Sequence, residues 1–241
     1  MAAPTKQQLR AAWGVVARTS LAPAARATPA RAPWAGALVV LTGALIAATA
    51  WLGGGAVIAA GVVPALAGVV AVLVALIAGA AVVERGLGSA VERWFGARWS
   101  AAVVGGAILG RVVILWSTAP GRWLAALVLA TVLGRWGAVV LQRLGDVVQV
   151  ERGLAVGDVG WLELAVTTVA VLALAASVTG WAGVALVVVL GLVAFGLGLV
   201  VQAIDGELTA SNLAAVAIAL ELVALVACSV VAPAAASPFL P

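Results

Sequence analysis

From Ala35 through Val83 the chain carries no Asp, Glu, Lys or Arg. This charge-free run limits the fold more than any other feature. Ala, Val, Leu and Gly supply nearly all of it, and at about 20 apolar residues per crossing it is long enough for two membrane-spanning helices. The rest of the chain agrees: 65% of residues are hydrophobic and 9% charged, with a mean hydropathy of +1.24, whereas a soluble domain carries about a quarter charged residues. So few charges cannot cover a surface facing water. The alternating short segments of a membrane barrel are absent. The fold class expected is an all-α polytopic transmembrane bundle, with Gly and Ala at the helix contacts where backbones approach closely.

Seven spans can be drawn, at about residues 35–52, 55–83, 101–117, 121–142, 160–179, 181–202 and 211–231, with a kink expected at Pro64. They divide the chain into a basic arm over 1–34, a helical domain over 35–231 and a short tail over 232–241. The arm holds Lys6, Arg10, Arg18, Arg26 and Arg31, and the long connections after spans two and four hold Arg85, Arg93, Arg98, Arg143 and Arg152. The opposite connections are tight joints, with only Arg122 at their border. Counted by the positive-inside rule, the N-terminus and the polar loops lie on the cytoplasmic face of the cell (inner) membrane and the C-terminus lies outside. The net charge is +4 and the basic residues concentrate in the arm, which fits lipid headgroups rather than nucleic acid.

Cys228 is the only cysteine and there is no histidine. Disulfides and Cys/His zinc sites are therefore excluded, and any acid or base chemistry rests on carboxylates or a bound metal. Glu84, Glu92, Asp146, Glu151, Asp158, Asp205 and Glu207 fall in the loops expected on the cytoplasmic side, with Glu163 just inside it. Such acids are either solvated loop charges or, converging from several loops, a place for a divalent cation and an anionic substrate. Two charges are set apart in apolar surroundings: Arg135 in LATVLGRWGAVVL and Glu221 in VAIALELVALVA. A charge at that depth is costly unless paired or watered, so both are expected to face the bundle interior. Snorkelling for Arg135 and a protonated structural carboxyl for Glu221 are the plainer readings. Trp34, Trp51, Trp116, Trp123, Trp161 and Trp181 are expected as interfacial anchors.

The order of several short elements resembles the cobalamin synthase (adenosylcobinamide-GDP ribazoletransferase) family. The elements are APWAGALVVLTGALIAATAWLG, VVERGLGSAVERWFG, LGRWGAVVLQR, VERGLAVG and IDGELTASNLAAVAIALELVALVA. The resemblance covers most of residues 8–231, and Gly134-Arg135-Trp136 and the last loop and helix are its strongest pieces. The family's Asp-Gly-x-x-Asp-x-x-Asp element, aligned on Gly86, reads Arg85, Ser89 and Glu92 here. Its Gly-x-Thr-Gly-Asp loop keeps Gly206, Leu208 and Thr209 but has Ala210 and Ser211.

The resemblance implies a phosphoryl-type transfer in which the ribose hydroxyl of α-ribazole attacks the cobinamide-linked phosphate of adenosylcobinamide-GDP and GMP leaves. It implies Arg135 and Glu221 as catalytic residues and Arg85, Gly86, Gly206 and Thr209 at the substrate. Glu84, Glu92, Asp205 and Glu207 would be ligands for Mg²⁺. With the aspartates missing, activity is expected well below that of an intact family member. The partners expected are the lipid bilayer and the two substrates, with self-association open. Two other functions compete: a non-catalytic relative or scaffold, and a small-solute transporter, which would show broken helices and several charges midway through its spans.

Overall fold

The computed structural model describes residues 34–145 and 159–231. The N-terminal arm before Trp34, the tail after Val231, and Asp146, Glu151, Arg152 and Asp158 lie outside the described residues. Among the described residues eight α-helices follow one another: α1 (Ala35–Ala59), α2 (Pro64–Ala78), α3 (Val82–Phe95), α4 (Ala97–Ser117), α5 (Trp123–Leu144), α6 (Trp161–Thr179), α7 (Trp181–Asp205) and α8 (Ala210–Val231). One turn of 3-10 helix, Pro120–Arg122, leads into α5. Among the described residues, six helices are long and apolar enough to cross a membrane, and α2 and α3 meet the same test only as a pair bent by 83°. The described residues are all-α, and their apolar helices are those of a multi-pass membrane protein.

α5 is the centre of the bundle, packed against α1, α6, α7 and α8, and α8 in turn packs against α3 and α4. Gly134 makes a close approach possible: a Cβ there would stand 2.6 Å from the carbonyl oxygen of Ala217 on α8. One end of the bundle gathers the turn at Gly96, the end of α5, and the connection from α7 to α8. Arg93 reaches Thr209 there, and Gly145 lies against Leu208 and Gln202. Glu163, at the start of α6, accepts a hydrogen bond from the Gly36 N–H and so caps α1.

The expected second span, 55–83, is corrected twice. α1 runs on to Ala59 and stops in a Schellman cap, in which Gly61 N–H donates to Ile58 and Val62 N–H to Val57, with Gly61 at φ 81°. Pro64 then opens α2 in the first-turn position that needs no N–H, so it starts a helix instead of kinking one. The break comes later. At the end of α2 the same cap recurs, Ala80 N–H donating to Ile77 and Ala81 N–H to Leu76. Here both αL residues are alanines, Ala80 and Ala81 at φ 49°, a conformation that costs about 1–2 kcal/mol per residue. The expected loop 84–100 is also corrected: Val82–Phe95 is helical, and only Gly96, at φ 88°, turns the chain into α4.

Candidate functional site: a charged centre beside a broken helix

The break at Gly79–Ala81 brings the first turn of α3 beside the middle of α4, α5 and α8. Glu84, in that first turn, meets Arg111 of α4, whose Nη1 donates to Glu84 Oε1 at 2.6 Å. The other terminal nitrogen, Nη2, donates to Glu221 Oε2 of α8 at 3.0 Å. The Arg111 side chain is 8% exposed and its carboxylate partners 11% and 15%. A lone charge at this depth would be expensive, and a guanidinium whose two terminal nitrogens each reach a carboxylate is one way to keep all three ionised. Arg135 of α5 is also buried and feels the charges of Glu221, Glu84 and Arg111.

The tripeptide Gly134-Arg135-Trp136 points three ways from α5. Gly134 lets α8 approach. The Arg135 side chain passes α1 at Gly43, where a Cβ would stand 2.7 Å from the arginine Cδ. Trp136 donates from Nε1 to Thr168 Oγ1 of α6 at 3.0 Å. The expectation that Arg135 and Glu221 face the interior therefore matches their placement. Glu84 is corrected from a loop charge to a largely enclosed helix residue paired with Arg111. Arg111 was not singled out in the sequence, although it is flanked by apolar residues in the same way as Arg135.

A second polar group lies at the end of the bundle. Arg93 Nη2 donates to Thr209 Oγ1 at 2.9 Å, Ser211 Oγ at 2.7 Å and Asn212 Oδ1 at 2.6 Å. It also stands 3.6 Å from Asp205 Oδ2. Asp205 further accepts from Trp94 Nε1 and Asn212 Nδ2. Thr209 Oγ1 accepts the Asn212 N–H at 3.3 Å, the N-cap of α8. Gly206 is the αL residue that ends α7. Gly86 faces Ala214 and Ser211 where α3 crosses α8.

Between α3 and α4 lies an open groove of about 610 Å³, whose wall includes Glu84, Arg85, Ser89, Glu92 and Ser100. The carboxylates expected for magnesium are spread over these features. Glu84 is held by Arg111, Glu92 faces the groove, and Asp205 is engaged by Trp94, Asn212 and Arg93. Among the described residues, no three acidic side chains come together as metal ligands. Trp123 is a further correction: expected as a membrane anchor, it is buried, with Nε1 donating to the carbonyls of Leu115 and Thr118. Trp34, Trp116, Trp161 and Trp181 are exposed.

No protein-family model, curated protein or solved structure matches this chain.

Proposed function

We propose that this chain is a ribazoletransferase-like membrane protein that binds a phosphate-bearing ligand in the groove between α3 and α4 and transfers it slowly. The observation that carries the reading is the groove itself. It collects Glu84 and the three altered positions Arg85, Ser89 and Glu92 on one wall, within the size range of about 300–1,000 Å³ typical of small-ligand sites. Arg85 supplies the anion partner there. Weak turnover follows from the same geometry, since Glu84 is committed to Arg111 and only Glu92 remains as a carboxylate among the altered positions. If transfer is retained, the ribose hydroxyl of α-ribazole attacks the cobinamide-linked phosphate and GMP leaves. The topology of this reading has seven crossings, with α2 and α3 together as one, the N-terminal end cytoplasmic and the groove open toward that side. The basic arm and loops support that orientation.

The test is release of GMP by the purified protein given adenosylcobinamide-GDP, α-ribazole and Mg²⁺. The expected result is slow release that rises when Arg85→Asp, Ser89→Asp, Glu92→Asp, Ala210→Gly and Ser211→Asp are combined. Equal rates before and after repair would overturn the role given to these positions.

A specific observation favours a second reading, small-solute transport: the broken span with Glu84, Arg111, Arg135 and Glu221 beside the break. No GMP from either protein, with solute uptake into vesicles that depends on Glu221, would select it.

A further inference from the structure

A second, largely enclosed cavity of about 40 Å³ lies inside the bundle, against the break between α2 and α3. Its wall includes Gly79, Val83, Glu84, Arg111, Arg135 and Glu221. Glu84 also borders the outer groove, so the Glu84–Arg111 pair stands between the two spaces. The four charges sum to zero, but their pairing is uneven. Arg111 takes both carboxylates, and no hydrogen bond or ion pair from a described residue engages Arg135.

Arg135 is 5% exposed, and none of its guanidinium nitrogens meets an acceptor on a described residue, whereas Arg111, whose Nε is likewise unpartnered, has both terminal nitrogens engaged. A guanidinium has five N–H donors and no acceptor, so nothing but an acceptor-bearing ligand or water can satisfy it. A buried charge left unpaired is among the costliest features a fold can retain. The nearby start of α3 adds the positive end of a helix dipole, and Val83 and Glu84 of its first turn line the same cavity.

We propose that this cavity is a binding site for one small monovalent anion of the halide class, held by Arg135 and screened from lipid by α1, α2 and α8. Size decides the class. One water-sized probe needs about 10–15 Å³, so the space admits on the order of three such volumes and no phosphate ester or nucleotide. Gly43 makes room for the arginine, because a side chain there would meet Cδ and Nη1. The site goes beyond the groove reading and stands or falls separately from it, since the two spaces share only Leu76 and Glu84, Arg135 lines the inner one alone, and they take ligands of different size.

The experiment is equilibrium binding of radiolabelled chloride to the full chain in detergent, with competition by bromide and by gluconate. Saturable binding of one chloride per chain is expected, displaced by bromide and not by gluconate. Arg135→Gln should weaken it about tenfold or more, the loss of one or more charge-assisted hydrogen bonds. Arg135→Lys keeps the charge without the planar fork and serves as the deciding variant if Arg135→Gln fails to fold, with several-fold weaker binding expected. No saturable binding to the unaltered protein, meaning water alone fills the cavity, would overturn the proposal. So would unchanged chloride affinity in a folded Arg135 variant.

Discussion

Arg111 and Arg93 are each held by side chains from other helices, yet they sit at two different depths and choose different partners. At the centre, Arg111 is 8% exposed and takes two full carboxylates at 2.6 and 3.0 Å. At the end of the bundle, Arg93 is 42% exposed, with its close partners two hydroxyls and an amide and its carboxylate out at 3.6 Å. The difference teaches where charge balance is compulsory. At Arg111 the protein itself supplies the neutralising charge, whereas at the rim solvent carries much of that load and neutral oxygens suffice.

The strongest way to break this comparison is Arg111→Leu. It leaves Glu84 and Glu221 buried without their common partner, an expected loss of about 3–5 kcal/mol, read as failure to accumulate as a monodisperse species in detergent. Adding Glu84→Gln and Glu221→Gln should recover much of that loss; no recovery would mean that packing, not charge, dominates. A contact free of charge comes next. Gly134→Ala pushes a methyl into the Ala217 carbonyl and Glu221 Cβ, with an expected cost of about 1–3 kcal/mol in a thermal melt. Arg93→Ala tests the rim. Its expected cost is about 1 kcal/mol, shrinking as salt is raised, because the group is well exposed. The smallest effect is set by Trp181→Ala, 86% exposed at the start of α7, expected to move detergent stability by no more than about 0.5 kcal/mol.

The helix class and the interior placement of Arg135 and Glu221 were legible because each is a single charge in an uninterrupted apolar run. Arg111 offered the same signal in AILGRVVILW and was readable by the same rule. Glu84 was not. The sequence AGAAVVERG shows no glycine at Ala80 or Ala81, where the cap puts its left-handed turn, so the break is silent and Glu84 reads as the first charge of a loop. Pro64 misled in the opposite direction, since proline is at home both in kinks and in first turns. Trp123 sits next to the short joint after α4, which is where anchors belong. Its burial comes from packing of the ring against Gly54 of α1 and Gly68 of α2, which no local pattern contains.

The break between α2 and α3 also bears on how the chain is made. α2 has 15 residues, about 22 Å of helix against a hydrocarbon core of about 30 Å, so it cannot insert as a complete span when it leaves the ribosome. α3, the other half of the bent pair, carries Glu84 in its first turn, a charge that neighbouring helices made later must enclose. One of those neighbours, α8, is the last of the described helices to be synthesised, and it brings Glu221, the second carboxylate for Arg111. A chain truncated before Ala210 would therefore lack Glu221 and leave Arg111 with Glu84 as its one carboxylate partner among the described residues.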